Sequence, residues 1–233
     1  MSFKLEAGEF CGVIGPNGAG KTTLFNAISR LVPVRSGDIK VGGRSLAATK
    51  PSDVVRLGIA RTFQLVGIFP SLTVEDNIAV GALAQHKIPV IPEILRMKAA
   101  AGPRARLVQR TREIAELCGL GGHSNRLAGT LPLGMQKRTE LARALATAPE
   151  ILLLDEPASG LSHREIDEFL DLLVNIKKSL GLTIIMIEHH LGLVMRASDH
   201  IIVLNFGRKI AEGTAAEVRK HPEVVSAYIG AGA

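Results

Sequence analysis

Tryptophan is absent, and aromatic residues make up 3% of the 233-residue chain. That is too little material for the stacking platforms on which single-stranded nucleic acids are held. Cysteine occurs twice, at Cys11 and Cys118, at a spacing that fits neither a disulfide framework nor a zinc site, so a reducing cytosol is the expected setting. No apolar run approaches the roughly 20 residues needed to span a bilayer, and the opening MSFKLEAGEF lacks the basic-then-apolar layout of a signal peptide. The chain is therefore expected neither to cross a membrane nor to be exported. Internal repeats and low-complexity segments are missing too.

What is present is the composition of an ordinary globular chain, 46% hydrophobic and 21% charged. The formal charge of +6 comes from 28 Lys and Arg against 22 Asp and Glu, and those basic residues are scattered. The densest group, Arg104, Arg106, Arg110 and Arg112, lies on a stretch of helical character and reads as a solvated face, so nucleic acid is not an expected partner.

Apolar runs at Phe10 to Ile14, Ile151 to Leu154 and Thr183 to Ile187 alternate with segments of helical periodicity, such as Arg164 to Leu180, where Ile166, Phe169, Leu170, Leu173 and Ile176 share one side. Buried strands separated by helices imply a parallel sheet covered on both faces, an α/β class. Further strands are expected at Asp38 to Val41 and Ile59 to Gln64. Helices are expected at Lys21 to Leu31, with Leu24, Ile28 and Leu31 on one side, and at Gln136 to Ala146. The proline-bearing stretch 85–102 reads as a loop or small insertion between helices. His200 to Asn205 and Lys209 to Ala211 flank Phe206-Gly207 as a terminal hairpin, followed by helices at Ala215 to Lys220 and Pro222 to Ile229.

Gly15-Pro16-Asn17-Gly18-Ala19-Gly20-Lys21-Thr22 fits G-x-x-x-x-G-K-[ST] and lies between a predicted strand and a predicted helix, the context that makes the pattern a phosphate site. Its glycines let successive N–H groups point inward at phosphate oxygens, at a helix start whose dipole favours negative charge. Lys21 then reaches the β and γ phosphates of a nucleotide, Thr22 is placed to ligate Mg²⁺, and Thr23 lies beside them in the cradle. The bland alternative is a glycine-rich turn with a surface lysine. Asp155 and Glu156 follow a fully apolar strand, at the end of a sheet where open α/β folds bind ligands. Asp155 is expected to hold Mg²⁺, directly or through water, and Glu156 to polarise an attacking water. Alone, this acidic pair also suits the cap and first turn of a following helix.

Taken in order, the phosphate loop, Gln64, LPLGMQ at Leu131 to Gln136, the ILLLDEP strand and His189 resemble an ABC transporter ATPase. IARTFQ at Ile59 to Gln64, LTVEDN at Leu72 to Asn77, IEHHLGLVM at Ile187 to Met195 and the ending Ala227-Tyr228-Ile229-Gly230 resemble the ATP-binding subunit of a branched-chain amino acid importer. The resemblance implies a P-loop NTPase (RecA-like) parallel-sheet core, with 1–233 a single ATPase domain and a helical subdomain at roughly 70–146. It implies that Gln64 touches Mg²⁺ and the attacking water, that His189 bonds the γ-phosphate, and that Ala158 to Ser162 is a D-loop. Gly134 and Gln136 would cap ATP bound to an opposing subunit, so that two cassettes sandwich two nucleotides. The implied partners are that second ATPase, two membrane permease subunits and, indirectly, a solute-binding protein, with the chain on the cytoplasmic face of the cell membrane.

Two departures carry expectations. Pro132 stands where the signature of such ATPases has a serine that approaches the γ-phosphate across the dimer, and proline offers neither hydroxyl nor N–H. The composite site that uses this signature should be weaker, and a non-identical partner should complete the Gly15 to Thr23 site. The second departure is that Gly15 follows Met1 by only fourteen residues, too few for the opening strands and the adenine-stacking aromatic of such a cassette. Either the true start lies upstream or the cassette is shortened, with the base held weakly and a sheet edge open. Phe3 is expected in the strand before the phosphate loop. The expected activity is MgATP hydrolysis driving uptake of a branched-chain amino acid or a related small solute. The alternatives are the ATPase of a lipid or lipopolysaccharide exporter, or a soluble non-transport ABC regulator with weak turnover.

Overall fold

The computed structural model describes residues 1–84 and 101–229. Its centre is a six-stranded sheet built from β1 (Phe10–Ile14), β4 (Ile59–Arg61), β5 (Ile151–Asp155), β6 (Thr183–Ile187), β7 (His200–Asn205) and β8 (Arg208–Gly213). The order is β4-β5-β6-β1-β7-β8, parallel throughout except for the β7–β8 hairpin. Two short strands, β2 (Lys40–Val41) and β3 (Arg44–Ser45), pair only with each other among the described residues.

Alternation along each strand sends side chains to two cores, as the period of two requires. Phe10, Leu152, Leu154, Ile184, Met186, Ile201 and Val203 face one cluster, and Cys11, Val13, Leu153, Ile185, Ile187, Ile202 and Leu204 face the other. The second cluster is closed by α1 (Lys21–Ile28) through Leu24, Phe25 and Ile28. The first is covered by α2 (Val74–Leu83), α3 (Ala101–Leu117), α4 (Leu133–Ala146), α5 (His163–Leu180) and α6 (Leu191–Ala197), with Val218 and Val224 from the C-terminal helices added. Helices α7 (Ala215–Lys220) and α8 (Pro222–Ile229) end the described chain. α2 and α4 approach so closely that a Cβ on Gly81 would lie 2.0 Å from the Arg143 carbonyl oxygen.

Several expected boundaries move. α1 stops at Ile28 because Arg30 adopts a left-handed φ of 60° and donates its guanidinium to the Ala47 carbonyl, so Leu31 turns outward and is 53% exposed. β4 ends at Arg61 and does not run to Gln64. Thr62 N–H still bonds the Leu153 carbonyl, but Phe63 N–H leaves the sheet for the Glu140 carboxylate. Phe3 is not in a strand: a turn at Glu6 to Glu9 separates it from β1, and it rests partly buried against the cluster that includes Ile39 and Val41. α4 begins three residues before Gln136, at Leu133. Of the stretch 85–102, residues 85–100 lie outside the described residues, and Ala101 and Gly102 open α3 rather than a loop. Arg106 and Arg112 are exposed on α3, while Arg110 donates to the Leu145 carbonyl at the end of α4.

Candidate active site

The loops that leave β1, β4, β5 and β6 emerge at the same carboxyl edge of four adjacent parallel strands, so residues far apart in sequence converge there. From β1 the chain enters Gly15 to Gly20, a tight loop closed by Ala19 N–H on the Pro16 carbonyl (3.1 Å). Gly20 caps α1 at φ 98° and contributes no side chain, leaving the first-turn N–H groups of Lys21, Thr22 and Thr23 for a ligand. The β7–β8 turn braces this loop from behind. Gly207 N–H donates to the Ala19 carbonyl (3.0 Å), and the Leu204 carbonyl sits where a Cβ on Gly15 would lie only 2.1 Å away. Asn17 and Gly18 at the tip are exposed, Pro16 is half-buried and Ala19 is buried.

Lys21 is buried, with its ammonium on the carbonyls of Gly15 (2.7 Å) and Pro16 (3.0 Å). Burial pushes its pKa below the ordinary lysine value, opposed by the carboxylates of Glu156 and Asp155, so the acidic pair lies within electrostatic reach of the loop. The acids are not a helix cap. Asp155 closes β5, Glu156 turns away at a left-handed φ of 49° with its N–H on the Ile187 carbonyl, and α5 begins only at His163.

Both oxygens of Glu156 are taken by groups from neighbouring strand ends. Gln64 Nε2 donates to Oε2 (2.8 Å), and His189 Nε2 meets Oε1 at 2.5 Å. A carboxylate only accepts, so this contact fixes the His189 proton on Nε2. The structure thus gathers Gly15 to Thr23, Gln64, Asp155, Glu156 and His189 at one edge. It does not gather Gly134 and Gln136 there. Gly134 lies in the first turn of α4 against Glu165 of α5, and Gln136 spends its amide on the Leu131 carbonyl (2.8 Å).

The oxygen donors suit a small hard cation. Asp155 Oδ1, the Thr22 hydroxyl and the Gln64 amide oxygen carry no hydrogen bond among the described residues. Magnesium therefore fits these residues. Asp155 Oδ2, however, is held by Arg61 (2.7 Å), a residue that no spacing argument had marked. Glu140 was equally silent in the sequence. From α4 its Oε1 accepts Phe63 N–H and Gly67 N–H (3.2 Å each), on either side of Gln64, and burial raises its pKa above the usual carboxylate range. Asn77 of α2 bonds the Phe69 backbone on both its N–H and its carbonyl. Asn77 could have been found as the one polar residue on the buried side of α2, but Glu140 could not, because α4 buries Lys137 and Thr139 beside it.

The ABC transporter family matches residues 1–159, and the branched-chain amino acid ATP-binding cassette transporter family matches residues 208–233. The chain belongs to the ABC transporter ATPases. This cassette is 39% identical over 230 residues to the high-affinity branched-chain amino acid transport ATP-binding protein LivG of Salmonella typhimurium, covering 99% of this chain and 90% of the relative. It is 35% identical over 230 residues, with the same coverage, to BraF of Pseudomonas aeruginosa, which carries the same description. Among solved structures, a nucleotide-free ATP-binding cassette from an ABC transporter superposes with a TM-score of 0.82 at 29% identity, over 97% of this chain and 89% of that one. The ADP conformation of MJ1267, an ATP-binding cassette of an ABC transporter, gives 0.81 at 29% identity over 96% and 89%.

Proposed function

We propose that the cassette binds MgATP on Gly15 to Thr23 and hydrolyses it to power uptake of branched-chain amino acids through separate membrane subunits. The observation that carries the chemistry is Glu156, clasped between Gln64 and His189 beside the loop that buries Lys21. In hydrolysis a water oxygen bonds to the γ-phosphorus as the bond to the β-bridging oxygen breaks. Glu156 takes the proton that this water gives up, ADP leaves with the β-bridging oxygen, and Gln64 and His189 keep the carboxylate aimed. Lys21 and the first-turn N–H groups of α1 offset the phosphate charge. Thr22, Gln64 and Asp155 are the residues to hold magnesium, which when bound neutralises charge on the phosphates.

The solute assignment is supported by the likeness to LivG and BraF and by the match at residues 208–233. No described helix is long and apolar enough to cross a membrane. The surface offered to membrane subunits is the apolar rim around Gln64, where Phe63, Leu65, Phe69, Val80 and Leu83 are exposed, Leu65 by 85%. This rim supports docking at a membrane, and the cytoplasmic face is the side this reading assigns to the cassette. Pro132 caps α4 with no side-chain hydrogen bond, which favours pairing with a second, non-identical ATPase whose own signature completes the site. The whole chain then acts as one ATPase domain, with 70–146 as its helical subdomain.

Glu156→Gln in the chain assembled with its partners tests this reading. ATP binding should persist while hydrolysis falls on the order of 10²- to 10⁴-fold, the usual worth of a general base. Retained turnover would remove Glu156 from the chemistry and favour a different activator. Loss of ATP binding as well would point to a structural role.

A further inference from the structure

We propose that Arg61 is a positioning residue for the metal: it fixes Asp155 so that a single carboxylate oxygen is presented to magnesium, and it ties that carboxylate to the helix that carries the phosphate loop. The inference rests on the reading of Asp155 as a magnesium ligand. Arg61 is the last residue of β4, directly beside β5, and both partners are buried, with side chains 9% and 5% exposed. One guanidinium nitrogen donates to Asp155 Oδ2 (2.7 Å), and the other donates to Asn26 Oδ1 on α1 (2.8 Å) and approaches Oγ of Ser29, which caps that helix (3.5 Å). The Phe25 and Phe63 rings flank the guanidinium at 5.4 and 5.2 Å. Three elements that must move as one around a triphosphate are thereby joined through one planar group: α1, β5 and the segment entering Gln64.

Stability alone does not account for this arrangement. A buried ion pair is commonly no better than a well-packed apolar pair of the same volume. This pair also leaves Arg61 Nε buried without a partner, a cost a purely structural solution would avoid. What the geometry does supply is orientation. The bond from Arg61 to Oδ2 restrains rotation of the carboxylate, and Oδ1 is left without a hydrogen bond among the described residues. Ligating carboxylates are routinely held by such outer hydrogen bonds, and loss of the outer partner typically weakens metal binding 10- to 100-fold. A lysine cannot substitute, because a point charge cannot reach Asn26 and Asp155 with a fixed fork while packing over the Phe25 and Phe63 rings.

The experiment measures affinity for a fluorescent ATP analogue by the full chain, once in EDTA and once in excess Mg²⁺. The ratio of the two reports the metal alone. Arg61→Met should lose about ten-fold or more of the tightening by Mg²⁺, read as the ratio of its own two affinities so that any change in metal-free binding cancels. Asp155→Asn should lose the tightening too, and the double variant should be no worse than Asp155→Asn, because both act through one contact. If Arg61→Met keeps the tightening while Asp155→Asn loses it, the inference on Arg61 falls and the metal site stands. If Asp155→Asn keeps it, the metal reading itself fails and this inference with it. Should Arg61→Met not fold, Arg61→Lys keeps the charge and gives the same comparison, a weakened Mg²⁺ effect supporting the proposal and an unchanged one overturning it.

Discussion

The two helix starts that matter to this cassette are built in opposite ways. α1 begins behind a loop held on every side: Lys21 bonds two of its carbonyls, Gly207 bonds Ala19, and Leu204 closes on Gly15. α4 begins at Pro132, exposed and with no side-chain cap, next to an exposed Leu133. Immediately beside it, α5 carries a full capping box of Ser162 and Glu165, and Gly134 of α4 faces that glutamate. The chain is braced by its own contacts where the proposed phosphate site lies. It is bare where the proposed cross-subunit contact would be made, which is the division of labour expected of half a composite site.

The sharpest way to break the comparison is to disturb the braced end. Gly15→Ala places a methyl 2.1 Å from the Leu204 carbonyl, a backbone atom that cannot swing aside. Overpacking of that kind costs on the order of 1–3 kcal/mol, so thermal unfolding should fall markedly, and ATP binding should be lost with it because the same displacement opens the cradle. Normal binding by the variant would show that the hairpin does not shape the loop.

A smaller effect on ATP binding is expected at Glu140, which links the two regions by carrying α4 to the segment around Gln64. Glu140→Ala strands the N–H groups of Phe63 and Gly67, each worth about 1–3 kcal/mol if left unsatisfied. Hydrolysis should drop while ATP binding holds, with Glu140→Gln restoring an acceptor and part of the rate. The pH dependence has a definite sign. Burial raises the Glu140 pKa, so its contribution to stability is fully present below the unfolded value of about 4.3 and is lost as pH rises through the higher folded value. Glu140→Gln should therefore gain stability relative to the native chain as pH rises across that window in thermal melts. An identical profile for the two would show that Glu140 is not buried in solution.

These residues also mark how far the sequence could be read. The phosphate loop and the twin acids were legible because their chemistry is local: a glycine-rich turn between a strand and a helix, and acids after an apolar run. Gln64 and His189 came from the order of motifs, since nothing in their own neighbourhoods announces that both reach Glu156. Arg61 and Asp155 are separated by 94 positions and Glu140 and Phe63 by 77, and only the strand order β4-β5 and the lie of α4 bring them together. Leu31 was misplaced for the converse reason. Its periodicity continued the pattern of α1, but the left-handed Arg30 had already ended the helix, a turn that periodicity cannot register.

The smallest effects compare the two neighbouring helix starts directly. Ser162 accepts Glu165 N–H as the cap of α5, so Ser162→Ala should cost about 1 kcal/mol, within the 0.5–2 kcal/mol usual for a lost cap. Pro132→Ser is the reverse experiment at α4, where the cap position already has an extended ψ of 153° and lacks a side-chain acceptor for the first-turn N–H groups. It should raise stability by no more than about 1 kcal/mol, read as a small increase in melting temperature of the isolated chain. In the assembled transporter the same hydroxyl and the restored N–H give the facing nucleotide a donor that proline denies it, and turnover should rise. The two readouts separate the causes. A gain in melting temperature with no gain in turnover would mean that Pro132 affects only its own helix, and the inequality proposed for the two ATP sites would have to be sought elsewhere.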